Sequence, residues 1–430
     1  MVELILIAVF FVLLFMGVPV AFAIGLATIA ALCLSINEIA ALTTVAQRMA
    51  GGINSFALLA IPLFILSGQL MSSGGIAQRL VYFARCLIGM LPGGLAFVNV
   101  VSCTLFGSIS GSAVAATSSV GGVMVPAMEE EHYPREFSAA LTASAATTGL
   151  LIPPSNILIV YAVASGGVSV AALFVAGYLP GLLVALALMG VCAGYARRRG
   201  LTGTAFVGFA ELLRSFIAAA PSLLLLVIII GGILVGVFTA TEAGAIAVLY
   251  ALALSLFYGE TTLTDLPPIF LKATSTTAIV MLLIGTSMAM SWLFAFEGIP
   301  GQVADALLNL SDNPLVILLL INLILLLVGA FMDMTPAVLI FTPIFLPVAV
   351  QLDMSPLHFG IMMVLNLSIG LCTPPVGSVL FVSCAVAKTK IEAMIRPLLP
   401  MYLAMMAALL LVTYVPAMSE ALPVALGLYE

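Results

Sequence analysis

Apolar residues along this chain gather into long runs and do not alternate with polar ones. Residues 223–237, 315–331 and 398–415 are examples. Runs approaching about 20 apolar residues suit membrane-spanning helices, and the period-two pattern of a membrane β-barrel strand is absent. The pattern therefore predicts an all-α integral membrane protein seated in a lipid bilayer. The first run, 2–15, has no basic flank, and its first charge is Glu3. No small-residue cleavage site leads from it into a soluble domain, so it reads as a span and not a leader. The first two spans are short, so 3–36 is either one kinked, tilted helix or two short ones.

Comparing the chain with itself reveals its organisation. Gly149-Leu150-Leu151-Ile152-Pro153-Pro154 returns 221 residues later as Gly370-Leu371-Cys372-Thr373-Pro374-Pro375, and Pro126 meets Pro347 at the same spacing. Gly17-Val18 with Gly25 returns as Gly236-Val237 with Gly244, and Gly75-Ile76 as Gly298-Ile299. Matches kept in one order divide the chain into halves, 1–199 and 216–418, with a linker at 200–215 and a tail at 419–430. Each half follows one plan. Two spans come first (3–17 and 20–36; 216–238 and 241–258), then a loop and a span (54–73; 274–295). A short amphipathic stretch follows (75–91; 298–311), then a punctuated hydrophobic region (93–127; 314–350). A span broken at Pro-Pro (137–164; 357–387) and a final span (168–196; 397–418) complete the half.

Composition narrows the class. The chain is 63% hydrophobic and 7% charged, with mean hydropathy +1.32; a soluble chain carries about 25% charged residues. Net charge is −6 with one basic tract, Arg197-Arg198-Arg199, which argues against nucleic acid as a partner. Six scattered cysteines form no C-x-x-C pair, and His132 and His358 fall near helix ends. No H-E-x-x-H and no intramembrane Ser/Lys or His/Asp group is present, which argues against an enzyme. A G-x-x-x-x-G-K-[ST] loop is also missing, so an ion gradient and not ATP would drive transport.

Positive charge orients the spans. With the Arg triplet inside and each punctuated region folded as a hairpin, Arg79, Arg85, Arg135, Arg214, Lys272, Lys388, Lys390 and Arg396 all fall inside. Of the twelve basic residues only Arg48 falls outside, where Glu297, Asp305, Asp312 and Asp353 lie. The halves are then inverted relative to each other, with both termini outside. Inverted repeats with midplane sites are a plan of secondary transporters.

The hairpin tips and breaks carry the candidate chemistry. The first tip, Gly107-Ser108-Ile109-Ser110-Gly111-Ser112, leaves carbonyls and hydroxyls in the membrane. Hydrocarbon forbids that unless they face protein, water or an ion. Either Na⁺ or small-residue helix packing accounts for it. The first break, Leu151-Ile152-Pro153-Pro154-Ser155-Asn156, removes backbone donors and starts a half-helix whose N–H groups favour an anion. Thr142, Ser144, Thr147 and Thr148 line its approach. The second half repeats the device with a tip at 329–336 and a break at Cys372-Thr373-Pro374-Pro375-Val376-Gly377-Ser378. Asp333 lies deep in an apolar run, where it either helps hold a cation or caps the helix after it. Glu242 reads as a helix cap, Trp292 and the tyrosines as interface anchors, and 201–216 as a helix lying in the cytoplasmic interface. The loop 258–272 reads in the same way.

Ser110-Gly111-Ser112-Ala113, Ile152-Pro153-Pro154-Ser155 and Phe238-Thr239-Ala240-Thr241-Glu242-Ala243 together resemble the large membrane subunit of TRAP (tripartite ATP-independent periplasmic) transporters. So does Leu59-Ala60-Ile61-Pro62-Leu63-Phe64 with Gly68, Gly74 and Gly75. The resemblance covers essentially the whole chain. It implies the ion-transporter superfamily fold, with each repeat carrying a re-entrant hairpin and a Pro-Pro-broken helix, and an elevator motion of a transport domain against a scaffold. It implies a multi-pass protein of the bacterial inner membrane with periplasmic termini, coupled to two or more Na⁺ ions. The implied partners are a small four-helix membrane subunit and a soluble periplasmic substrate-binding protein. The implied substrates are organic acids: C4-dicarboxylates, sialic acid, sugar acids or keto acids. Carried over residue by residue, it assigns Ser108, Ser110, Gly111 and Asn156 to one Na⁺ and Gly329, Asp333, Thr335 and Thr373 to another. Ser112, Thr147, Ser155, Gly377 and Ser378 are the substrate-binding candidates. A stand-alone Na⁺- or H⁺-coupled carboxylate carrier of the same superfamily is the alternative.

Overall fold

The computed structural model describes residues 2–201, 203, 207–311 and 313–429, and among these every regular element is a helix. The first half contains α1 (Val2–Phe15), α2 (Val20–Ser35), α3 (Glu38–Ile53), α4 (Ala60–Ser73), α5 (Ile76–Ile88) and α6 (Gly94–Ser110). It continues through α7 (Ala113–Glu130), α8 (Arg135–Ala146), α9 (Asn156–Ala164), α10 (Val170–Ala176) and α11 (Tyr178–Arg199). The second contains α12 (Phe209–Leu234), α13 (Ala240–Phe257), α14 (Leu266–Phe296), α15 (Ile299–Leu310) and α16 (Pro314–Phe331). It ends with α17 (Met334–Gln351), α18 (Pro356–Gly370), α19 (Ser378–Ala387), α20 (Ile391–Tyr414) and α21 (Ala417–Ala425). Eight helical stretches among the described residues are long and apolar enough to cross a membrane.

Local chemistry explains the interruptions. The opening stretch is two helices, α1 and α2, packed on each other across a turn where Gly17 takes a positive φ of 81°. Glycine tolerates that region because it has no Cβ. The apolar pattern of α8 passes into a 3-10 turn at Thr147–Leu150 and stops before Pro153-Pro154; α9 starts at Asn156. Likewise α18 ends at Gly370 and α19 begins at Ser378, past Pro374-Pro375. A proline removes a donor and disfavours helical geometry in the residue before it, so neither span continues through its pair.

Three stretches differ from the pattern reading. The region from Glu38, read as loop, forms the amphipathic helix α3. The linker 200–215 lies partly outside the described residues, as does Asp312; from Phe209 onward it is the opening of the continuous helix α12, not a separate interfacial helix. The second half of the loop 258–272 belongs to α14, 31 residues long. At 1.5 Å per residue α14 is about 46 Å long, more than a hydrocarbon core of roughly 30 Å requires. Glu242 acts as a cap, as expected: Thr239 Oγ1 accepts from the Glu242 N–H at 3.3 Å and Glu242 Oε2 accepts from the Thr239 N–H at 2.8 Å.

Burial separates an inner group from an outer frame. Every residue of α18 from Leu357 to Gly370 is buried, as is 137–146 of α8. A helix buried on every side belongs at a centre. α1, α12 and α13 instead expose large apolar residues such as Phe11, Phe15, Val227 and Leu249, as lipid-facing helices do. α4 packs on α13, and α2, α3 and α4 pack on α14, which builds a frame from both halves. Inside it, α6 and α7 lie against α8, and α16 and α17 against α18. The half-helices are exchanged: α9 packs on α17, and α19 packs on α7 and α8.

Several basic side chains meet acids or aromatic rings. Arg85 pairs with Glu131 at 3.5 Å, Arg135 with Glu129 at 2.6 Å and Arg79 with Glu260 at 3.7 Å. The Arg199 guanidinium lies 5.6 Å from the ring centre of Tyr195, which stacks on Phe137. Arg48 sits elsewhere, 5.1 Å from the Trp292 ring. Trp292 is 20 residues beyond Lys272 on α14, a rise of about 30 Å.

Candidate functional site

Four helices begin at one place. α7 starts after Ser112, α9 at Asn156, α17 after Asp333 and α19 at Ser378, and residues at all four starts line one cavity of ≈ 430 Å³. The exchange of half-helices produces this convergence, because each break delivers its restart beside the other half's hairpin. A helix start carries N–H groups without intrahelical acceptors and a partial positive charge. Four of them around one cavity favour an anionic group there.

The first tip is built by contact. Gly111 ends α6 at φ 63°, and a Cβ on it would lie 3.0 Å from the Pro154 carbonyl oxygen and 3.4 Å from Asn156 Nδ2. The tip is thus seated on the break. Asn156 Oδ1 is buried there and has no hydrogen-bond partner among the described residues. A buried amide oxygen without a donor is costly unless something fills its lone pairs. The frame reaches the same tip: a Cβ on Gly68 of α4 would lie 2.7 Å from the Ser110 carbonyl oxygen.

The second tip repeats the contact. The Val376 N–H donates to the Ala330 carbonyl at 3.1 Å, and the Ser378 hydroxyl reaches Asp333 Oδ1 at 3.5 Å. Asp333 stands at the cap position of α17 with its backbone extended, yet its side chain caps no N–H of that helix. Its carboxylate is open to the cavity.

The cavity gathers Ser110, Gly111, Ser112 and Asn156 from the first half and Asp333, Thr335 and Ser378 from the second. The remaining candidates lie behind it. Ser108 donates to the Leu105 carbonyl at 2.8 Å, Thr147 to Ser144 at 2.7 Å, Ser155 to Leu150 at 2.5 Å and Thr373 to Ile369 at 2.9 Å. Gly329 packs on Gly370, and Gly377 on the carbonyls of Leu371 and Thr373. Thr142 and Thr148 also turn back onto their own helix, and Thr142 accepts from Asn99 Nδ2 at 2.7 Å.

The frame supplies lining that the motifs did not indicate: Gln69 and Ser72 from α4, and Lys272 and Thr276 from α14. Lys272 was legible only as one of the inside bases. No motif marks it, because a single lysine beside a span is an ordinary flanking charge.

The donors near the tips are amide, hydroxyl, carbonyl and carboxylate oxygens, which suit a hard cation. No group of three or more His, Cys, Asp or Glu comes together among the described residues.

Comparison with known proteins follows the same line. A family model described as tripartite ATP-independent periplasmic transporter, DctM component, matches residues 7–418. The uncharacterized protein YgiK of Salmonella typhimurium is 52% identical over 96% of this chain and 95% of its own length. The C4-dicarboxylate TRAP transporter large permease protein DctM of Pseudomonas aeruginosa is 42% identical over 87% of each chain. The sialic acid TRAP transporter large permease protein SiaM of Vibrio cholerae is 40% identical over 96% of each. The crystal structure of the Alcanivorax borkumensis YdaH transporter matches 88% of each chain with a TM-score of 0.63 at 16% identity, a likeness of fold alone.

Proposed function

The chain belongs to the DctM-component family of tripartite ATP-independent periplasmic transporters, and from that premise we propose that it is the large permease of a Na⁺-coupled organic-acid uptake system. The substrate is a C4-dicarboxylate, sialic acid or another sugar or keto acid, the class named for its relatives. A periplasmic binding protein delivers it, and a small four-helix membrane subunit completes the permease. The observation that carries this reading is the convergence of four helix starts on one cavity. Their partial charges attract a carboxylate without a salt bridge.

Sodium occupies the tips in this reading. Asn156 Oδ1 and the carbonyls around Gly111 take one ion; the Asp333 carboxylate and Thr335 take the other. Each ion adds positive charge beside the anion, so binding of cation and acid is mutually favourable, which is the basis of symport. The halves are inverted in the membrane, and the Lys272 end of α14 faces the cytoplasm. The cavity reaches Lys272, which supports a cytoplasm-facing state. The inner group then slides against the frame of α4 and α14 as an elevator, carrying both tips with it.

Uptake into proteoliposomes tests the reading. The chain is reconstituted with the neighbouring small subunit and offered labelled succinate, sialic acid and sugar acids, with and without a Na⁺ gradient and the binding protein. Uptake that requires both is the expected result. Na⁺-driven uptake without the binding protein would make the chain a conventional carrier of the same fold. Uptake that ignores Na⁺ would remove the coupling sites.

A further inference from the structure

Among the described residues one acid and one base line the cavity, Asp333 at the tips and Lys272 on the frame. Lys272, Thr276 and Val280 recur at four-residue steps, so they form one stripe along α14. Gln69 and Ser72 of α4 face the same cavity. These polar groups belong to one end of the frame. A Cβ on Gly74 would lie 2.8 Å from Ser255 Oγ and one on Gly75 2.9 Å from the Glu260 carboxyl carbon. Those contacts seat the last turn of α4 beside the segment that leads into α14. At the other end, a Cβ on Gly52 would lie 2.6 Å from the Met288 side chain. The cavity is therefore polar towards Lys272 and apolar towards Ile61 and Ile65 of α4.

Lys272 is exposed, and among the described residues no carboxylate lies within 4.0 Å of its ammonium. The Thr276 hydroxyl donates to the Lys272 carbonyl at 3.0 Å and the Ser72 hydroxyl to the Gly68 carbonyl at 2.8 Å, so the Lys272 ammonium and the Gln69 amide are the donors this wall turns to the cavity. An ammonium without such a partner is suited to receive an anion. We propose that Lys272, with Gln69, forms a carboxylate subsite on the frame, separate from the anion position at the helix starts. An acid with two carboxylates spans the cavity, one end at the helix starts and the other at Lys272. The subsite thereby favours dicarboxylates over monocarboxylates and receives the leading carboxylate as the acid departs towards the Lys272 end. The inference rests on the organic-acid reading and adds its substrate class.

The chain has three lysines, Lys272, Lys388 and Lys390, so methylation of the full-length protein in detergent with ¹³C-formaldehyde yields few NMR signals. The Lys272 signal is identified by its loss in Lys272→Arg. Titration with succinate, malate and 2-oxoglutarate is expected to shift that signal saturably and to leave Lys388 and Lys390 in place, whereas acetate shifts none of them. No saturable shift with any of the three dicarboxylates overturns the proposal. In proteoliposomes, Lys272→Gln is expected to raise the succinate concentration for half-maximal uptake roughly tenfold, the loss of one charge-assisted hydrogen bond, with Lys272→Arg recovering most of it. Unchanged concentration dependence in Lys272→Gln also overturns it. Failure of the transport reading is separate: the wild-type chain would take up no acid in response to Na⁺, while the NMR titration still decides the subsite.

Discussion

Gly107 and Gly149 touch backbone to backbone: a Cβ on Gly149 would lie 2.3 Å from the Gly107 Cα. The second half repeats the pair, with a Cβ on Gly370 lying 2.6 Å from the Gly329 Cα. In each half this contact lets a hairpin arm press against the helix that is about to break, and so brings tip and break together. Any side chain there separates them. Gly149→Ala should destabilise the protein by about 1–3 kcal/mol, the usual cost of overpacking. Gly190→Ala, on a helix position with nothing within 4 Å, should be neutral or slightly stabilising. Thermal unfolding of both variants in detergent checks the contrast; equal midpoints would mean the close approach is not needed.

Asn156 and Asp333 place oxygen at the two tips. Asn156→Ala and Asp333→Ala should each raise the Na⁺ concentration for half-maximal uptake by roughly tenfold, since a hydrogen bond or ligand to a charge contributes about 1.5–3 kcal/mol. The folded fraction, followed by size-exclusion chromatography, should stay at the wild-type level. Unchanged Na⁺ dependence in both variants would remove the assignment.

Ser110 is buried under Gly68 of α4, where the first tip meets the frame. Ser110→Leu leaves no room for the added carbons at that seam and should abolish uptake while the protein still inserts in the membrane. Full uptake by this variant would show that the tip is ordinary helix packing.

Asp265 precedes α14 outside its span. The Thr262 hydroxyl donates to Asp265 Oδ2 at 2.6 Å and the Thr262 N–H at 2.8 Å, which holds the carboxyl below the usual carboxylate range. A depressed folded value means that the contribution to stability is complete above the unfolded value, about 3.9, and is lost as pH falls through the folded one. Hydrogen exchange at the Thr262 amide should therefore quicken, relative to a neighbouring loop amide, as pH is lowered from about 5 to about 2. Asp265→Asn should remove that pH dependence; a variant that keeps it would disprove the pairing.

Much of this was legible in the chain itself. The membrane class, the hairpin turns near Gly111 and Asp333 and the breaks at Pro153-Pro154 and Pro374-Pro375 follow from chemistry that acts within a few residues. A proline lacks its donor wherever it stands, and a glycine at positive φ turns the chain with no distant partner. Tertiary structure alone decided the exchange of α9 and α19 between hairpins, the burial of Ser108 and Thr147 away from the cavity, and the arrival of Lys272 on its wall. Each of these depends on contacts between residues far apart in the chain. Such contacts are selected by how apolar faces pack, and they leave no periodic or motif trace at either end.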